Sequence, residues 1–108
     1  MDQKTVVNHQ VDEARYYIIR ADRAGVFFGH IKERRGDEVD MTECRRLWYW
    51  NGAASLSQLA TEGVKHPELC KFTVVVPEMT ILGVIEIIPC SEAAVENIKA
   101  VTTWRSKG

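Results

Sequence analysis

Glycine-punctuated runs of β-branched and aromatic residues fill the first half of the chain, and they commit it to antiparallel sheet. Arg15-Tyr16-Tyr17-Ile18-Ile19-Arg20 is one such run and Val26-Phe27-Phe28-Gly29-His30-Ile31 the next, with Ala21-Asp22-Arg23-Ala24-Gly25 as the turn between them. Polar residues take over from Lys32. Arg34-Arg35-Gly36-Asp37 predicts a hairpin turn in which Gly36 supplies the positive φ. Glu38-Val39-Asp40-Met41-Thr42 then returns in alternation, so Val39 and Met41 face a core while their neighbours face water. Three closely linked strands make a meander.

Cys44 to Trp50 continues as an extended segment that places Leu47 and Tyr49 on one face and Arg46, Trp48 and Trp50 on the other. Asn51-Gly52 breaks it. Ser55 to Glu62 predicts a two-turn helix, with Ser55 as N-cap, Gln58 completing a capping box and Gly63 as the stop. His66-Pro67-Glu68 is a turn, and Phe72 to Val76 a strand ended by Pro77. Met79 to Ile88, apolar on both faces, predicts a longer central strand closed by Pro89. Ser91 caps a short helix through Ala100 whose stripe is Ala93, Ala94, Val95 and Ile98, and Thr103-Trp104 adds a last short strand. The architecture is α+β: an antiparallel β-sheet or small open β-barrel of about five to six strands with two short helices. Residues 1–13, polar and held only by Val6, Val7 and Val11, predict a flexible N-terminal arm; 14–108 form a single domain.

With 108 residues, 45% hydrophobic and 27% charged, the chain can close one modest core, which excludes disorder for most of it. Fourteen Lys+Arg against fifteen Asp+Glu give a formal charge of -1, which argues against a nucleic-acid-coating role. No basic-then-apolar leader is visible at the N-terminus. The run Ile81–Ile88 carries Gly83 and Glu86 and falls far short of the roughly 20 residues that span a bilayer. Cys44, Cys70 and Cys90 are an odd set with no C-x-x-C pair, as expected of free thiols in a reducing, cytoplasmic compartment.

Catalytic patterns are missing. There is no G-x-S-x-G elbow, and Gly25, Gly29 and Gly36 are scattered rather than grouped in a phosphate loop. Glu86 lies within an apolar run and would need a partner such as an arginine if buried. His66 and Cys70 have no second pair to complete a metal site, and Pro67 breaks the helix that would align them, so neither metal nor cofactor is expected. His30 shares a face with Val26 and Phe28 and reads as a half-buried hydrogen-bonding group. Between residues 15 and 46, eight Lys/Arg interleave with six Asp/Glu, the pattern of a solvated surface. The chain is not expected to be an enzyme.

The segment Arg45 to Ser57 concentrates two guanidiniums, three aromatic rings, a turn and a capped helix start within thirteen residues. Arginine grips phosphate oxygens in a planar fork, unpaired N–H groups at a helix start favour an anion, and Trp or Tyr offers a flat face to a ring. The candidate ligand-binding residues are therefore Arg45, Arg46, Trp48, Tyr49, Trp50, Asn51 and Ser55. Against this stands plain core packing, in which the rings fill the interior and the arginines lie along its rim.

Arg45-Arg46-Leu47-Trp48-Tyr49-Trp50-Asn51-Gly52-Ala53-Ala54-Ser55-Leu56-Ser57-Gln58-Leu59-Ala60, with Gly63, Cys70-Lys71-Phe72 and Val84-Ile85-Glu86-Ile87-Ile88-Pro89-Cys90, resembles a family of small proteins of unknown function encoded by tailed bacteriophages and prophages. The resemblance covers residues 15 to 105 and leaves out the polar arm. It implies an accessory protein in the cytoplasm of an infected bacterium and supplies no catalytic activity. Two roles follow as expectations. The first is sequestration of a phosphate-bearing ring compound, such as a nucleotide immune signal, to counter host defence. The second is a protein–protein module: an inhibitor of a host protein, or a small assembly or virion component. A concave pocket under Trp48 and Trp50 favours the first, and a flat exposed patch the second. A homo-oligomer is expected in either case, because a small sheet leaves edges to cover.

Overall fold

The meander forms as its punctuation predicts, in a computed structural model that describes residues 14–106. The 1–13 arm and the last two residues lie outside the described residues. Strand β1 (Tyr16–Ala21) turns at Gly25 into β2 (Gly25–Arg35), and Gly36, at φ 62°, turns β2 into β3 (Glu38–Tyr49). Arg34 Nε–H closes that hairpin on the Gly36 carbonyl at 2.8 Å. The segment after Thr42 is not a separate strand: β3 runs unbroken for twelve residues. Then come α1 (Leu56–Glu62), a 3-10 turn (Pro67–Leu69), β4 (Lys71–Phe72), β5 (Val76–Ile81), β6 (Val84–Pro89) and α2 (Glu92–Ala100). The fold is α+β, with a six-stranded antiparallel open sheet and two helices.

The predicted central strand over 79–88 is two strands instead, and neither is central. β5 pairs with β3, from Val39↔Ile81 to Cys44↔Val76, whereas β6 pairs with β1 at the other end of the order β4-β3-β2-β1-β6. Only Leu82 and Gly83 connect them. So short a link between opposite ends of a sheet requires the sheet to curl. Gly83 makes the corner at φ 72°, and two backbone bonds pin it: Asp22 N–H to the Gly83 carbonyl at 2.8 Å and Val84 N–H to the Asp37 carbonyl at 2.9 Å. Glu86 stays exposed on β6, opposite Arg20 with a 4.0 Å contact, so no buried carboxylate arises.

Curling gives the sheet two buried faces. Its concave side holds Tyr17, Ile19, Ala21, Phe27, Ile31, Val39, Met41, Cys44, Ile81 and Val84. On its convex side, Ile18, Phe28, Leu47 and Phe72 pack under Leu59 and Ala60 of α1 and Ala94 and Ile98 of α2. This is why β1 reads as a continuous apolar run. Ala93 of the predicted helix stripe faces water; Ala94 and Ile98 carry the packing and Val95 lies half-buried.

Both helix starts form on their sequence signals. Ser55 Oγ accepts from Gln58 N–H at 3.1 Å while Gln58 Oε1 accepts from Ala54 N–H at 2.7 Å. Ser91 Oγ accepts from Ala94 N–H and donates to the Thr61 carbonyl at 2.7 Å, which fastens α2 to α1. Asn97 adds a two-way clamp on the Val64 backbone, at 2.7 and 2.9 Å.

The faces of β3 from Val39 to Leu47 hinge on an irregularity against β2. Phe28 pairs with Arg45, yet His30 pairs with Thr42, so β3 carries an extra residue against Gly29. Glu43 sits there at φ 48°, the one positive φ outside glycine among the described residues. This bulge reverses the alternation. Val39, Met41 and Cys44 share the concave core, while Arg45 and Leu47 turn to the convex face. Strict alternation would have placed Glu43 and Arg45 beside Val39 and Met41.

All three cysteines are free and buried. Burial pushes the Cys44 thiol up to about 12 and Cys90 up to about 11. Because the folded state holds these protons more tightly, their contribution to stability is complete below the unfolded thiol value of about 8.5. It is lost as pH rises through about 11 to 12. Urea midpoints measured across that alkaline range should fall for the parent chain and fall less for Cys44→Ala, once each is referenced to its own neutral-pH value. A thiol reagent near neutral pH should label these cysteines only on unfolding; fast labelling of Cys44 in the folded chain would contradict its burial.

Candidate functional site

The Arg45–Ser57 segment does not assemble into one pocket. Its residues leave the chain in different directions, and the bulge is the first reason. Arg45 and Arg46 project from opposite faces of β3, so they cannot clamp one anion together.

Arg45 is interior, only 3% exposed. Its Nε–H donates to the Thr73 carbonyl at 3.0 Å, Nη1 to the carbonyls of Ile98 and Val101 at 3.1 and 3.2 Å, and Nη2 to that of Phe72 at 3.2 Å. Its Cζ lies 5.5 Å from the Phe72 ring centroid. Four carbonyl dipoles, two from the C-terminal end of α2, take the place of a carboxylate. Desolvation lowers its pKa, in a group that remains charged under all ordinary conditions. Arg45 is a structural cation that joins β3, β4 and α2, and the phosphate role expected for it is corrected on that ground: four of its five N–H groups are already bonded.

Arg46 is half-buried on the concave side, its Cζ 4.9 Å from the centroid of the Phe27 ring. It lines a cleft between the β1–β2 turn and the β5–β6 corner. Its main chain is anchored separately, N–H to Thr73 Oγ1 at 2.9 Å and carbonyl from Thr73 N–H at 3.0 Å.

Trp48 and Tyr49 end β3 at the surface, 64% and 48% exposed. The sequence puts Trp48 on the face of Arg46, but β3 shifts register against β4 between Leu47 and Tyr49, at Trp48 itself. Trp50 lies beyond the strand and packs, half-buried, against the convex core, so it does not join that face. Asn51 is bound through its backbone, N–H to Cys70 Sγ at 3.4 Å, with the Cys70 thiol donating to the Asn51 carbonyl at 3.8 Å. Ser55 is engaged as the helix cap.

Two participants escaped the sequence reading. Trp104, 46% exposed, lies beside β4: its backbone N–H donates to the Phe72 carbonyl at 2.8 Å, and Lys71 Nζ sits 5.4 Å from its ring centroid. Register sets Tyr49 beside Lys71, which brings Tyr49 and Trp104 to the same end of the sheet. Trp104 and the exposed Val74 line one shallow apolar cleft. The other is Arg23, which lines the Arg46 cleft from the β1–β2 turn. Composition and spacing carry no signal for either, since both are brought in by tertiary pairing. His30 is half-buried, as predicted, with Nδ1 donating to the Arg15 carbonyl at 2.9 Å.

No helix among the described residues is long and apolar enough to cross a membrane. No curated protein and no solved structure shows significant similarity to the chain. A family model, the domain of unknown function DUF6948, matches residues 14–98, and the chain belongs to that family.

Proposed function

We propose that this DUF6948 protein is a non-enzymatic binding module that acts on a protein partner through the aromatic end of its sheet. The observation that carries the reading is the exposure of Trp48, Tyr49 and Trp104 around the adjoining ends of β3 and β4. Trp and Tyr supply large contact areas at low entropic cost and dominate interface hot spots. Exposed Val74 and Val75, on the link from β4 to β5, extend the apolar character of this end. The buried, proton-bound thiols are not poised as nucleophiles. The resemblance to phage-encoded accessory proteins supports a partner in the bacterial host, or a second virion or accessory chain. Sequestration of a nucleotide signal ranks second, because Arg45 no longer contributes to a phosphate clamp.

The test compares the parent chain with Trp48→Ala and Trp104→Ala as affinity baits against host lysate, followed by measured affinities for the protein captured. Both rings are largely solvated, so Tm should stay within about 3 °C. Loss of partner affinity should reach about 2 kcal/mol, roughly thirtyfold, for at least one of them. Parent-like affinity in both variants would remove the aromatic end from the interface. Native mass spectrometry of the purified chain covers the other outcomes: a homo-oligomer that dissociates in Trp48→Ala places the interface between copies, and a bound nucleotide restores the second reading.

A further inference from the structure

Arg46 has a hydrogen-bonding capacity that the fold does not use. Its Nε is buried without a partner, and no ion pair or hydrogen bond holds its guanidinium among the described residues. A buried N–H without an acceptor costs about 1–3 kcal/mol, and nearly all such groups in native proteins are bonded. The group is nevertheless held in place: the fully buried Phe27 ring lies under it at 4.9 Å. It opens into a cleft of about 600 Å³ lined also by Asp22, Arg23, Met79 and Leu82. That volume lies within the roughly 300–1,000 Å³ of small-molecule sites. Two guanidiniums face one carboxylate among the lining residues, and Asp22 makes no ion pair with Arg46. Met79, half-buried, and Leu82, 63% exposed, form an apolar wall.

We infer that this cleft binds a small organic oxyanion, a phosphate or carboxylate on an apolar or ring body. Arg46 receives the oxyanion through its terminal Nη groups, Arg23 adds a second cation at the mouth, and the body lies along Met79 and Leu82. The partner surface proposed above is not involved: it uses the sheet end at Trp48, Tyr49 and Trp104, and neither site requires the other.

The experiment follows the Arg46 Nε–H resonance and the backbone amides of Asp22 and Gly83 in the full chain. It titrates inorganic phosphate, phenyl phosphate and benzoate separately. Saturable shifts at these positions are expected, with the aromatic anions binding more tightly than inorganic phosphate. Phenyl phosphate ahead of benzoate identifies a phosphorylated ligand, and the reverse order a carboxylate. Arg46→Met keeps the stem over Phe27 and removes the fork, so affinity should fall at least about tenfold. Arg23→Ala, at an exposed turn, should weaken binding about twofold to fivefold without touching the fold. Absence of saturable shifts up to about 10 mM of every probe, weaker than any affinity a built charge-assisted site should show, overturns the inference. Affinity unchanged in both variants overturns it as well, and the Arg23 arm decides the matter should Arg46→Met fail to fold.

Discussion

Replacing Arg45 with methionine is expected to destabilise the protein by about 3–5 kcal/mol, a large part of the roughly 5–15 kcal/mol that holds a domain of this kind together. Buried ion pairs can often be exchanged for apolar groups at little loss, provided both partners are exchanged. Here the partners are main-chain carbonyls of Phe72, Thr73, Ile98 and Val101, which no side-chain substitution removes. Arg45→Met would remove the donor from the Thr73 and Val101 carbonyls in the core between β4 and the end of α2, while those of Phe72 and Ile98 keep the N–H groups of Trp104 and Val101. Lysine should recover less than half of the loss, because one ammonium on a flexible stem cannot reproduce a planar fork that reaches two elements at once. Urea unfolding gives the free energies directly, and Tm should fall by roughly 12 °C or more. A loss below about 1 kcal/mol for Arg45→Met would mean that the carbonyls find other donors, and the structural role assigned to Arg45 would be wrong.

Gly29→Ala is the second large effect, and it acts through space alone. A Cβ at this position would lie 2.9 Å from Cys44 Cα and from the Thr42 carbonyl oxygen, and 3.0 Å from that of Glu43. All three are backbone atoms of the β3 bulge, so the strand itself would have to move. The expected loss is about 2–3 kcal/mol, at the upper end of overpacking costs. Faster amide exchange over Thr42 to Arg45 should accompany it, because the bulge is where the strain falls. Gly36→Ala makes a clean control: nothing lies within 4 Å of its Cβ position, and only its φ of 62° resists the change. That variant should lose about 1 kcal/mol with exchange at the bulge unaltered. Equal effects of the two substitutions would refute the claim that Gly29 exists to admit the bulge.

The two substitutions bear on the same question, since the bulge decides where both arginines point. The meander, the two helix caps and the glycine turns were legible because each depends on residues a few positions apart. Gly25 and Gly36 turn the chain where their neighbours predict, and Ser55 with Gln58 and Ser91 with Ala94 close the caps. The candidate site was less legible. Alternation separated Arg46 from Leu47 correctly, but no local pattern announces that Glu43 occupies an extra position. Arg45 therefore reads as a surface clamp and is a core cation. The 79–88 run misled for a related reason: its two apolar faces suggested a central strand, whereas Gly83 splits it between two ends of a curled sheet. Thr103-Trp104 read as a short strand, and Thr103 bridges Phe72, but nothing local placed Trp104 or Arg23 at either site.

Sequence by itself therefore determined the α+β class, the first three strands, the two helices and the turns at Gly25 and Gly36. These rest on short-range sterics and hydrogen bonds, which a few consecutive residues settle. Only the tertiary structure decided which face each β3 side chain takes, that Arg45 belongs to four carbonyls, and that Arg46 opens into a cleft. Those outcomes depend on register between strands distant in sequence, where one inserted residue reverses every face that follows.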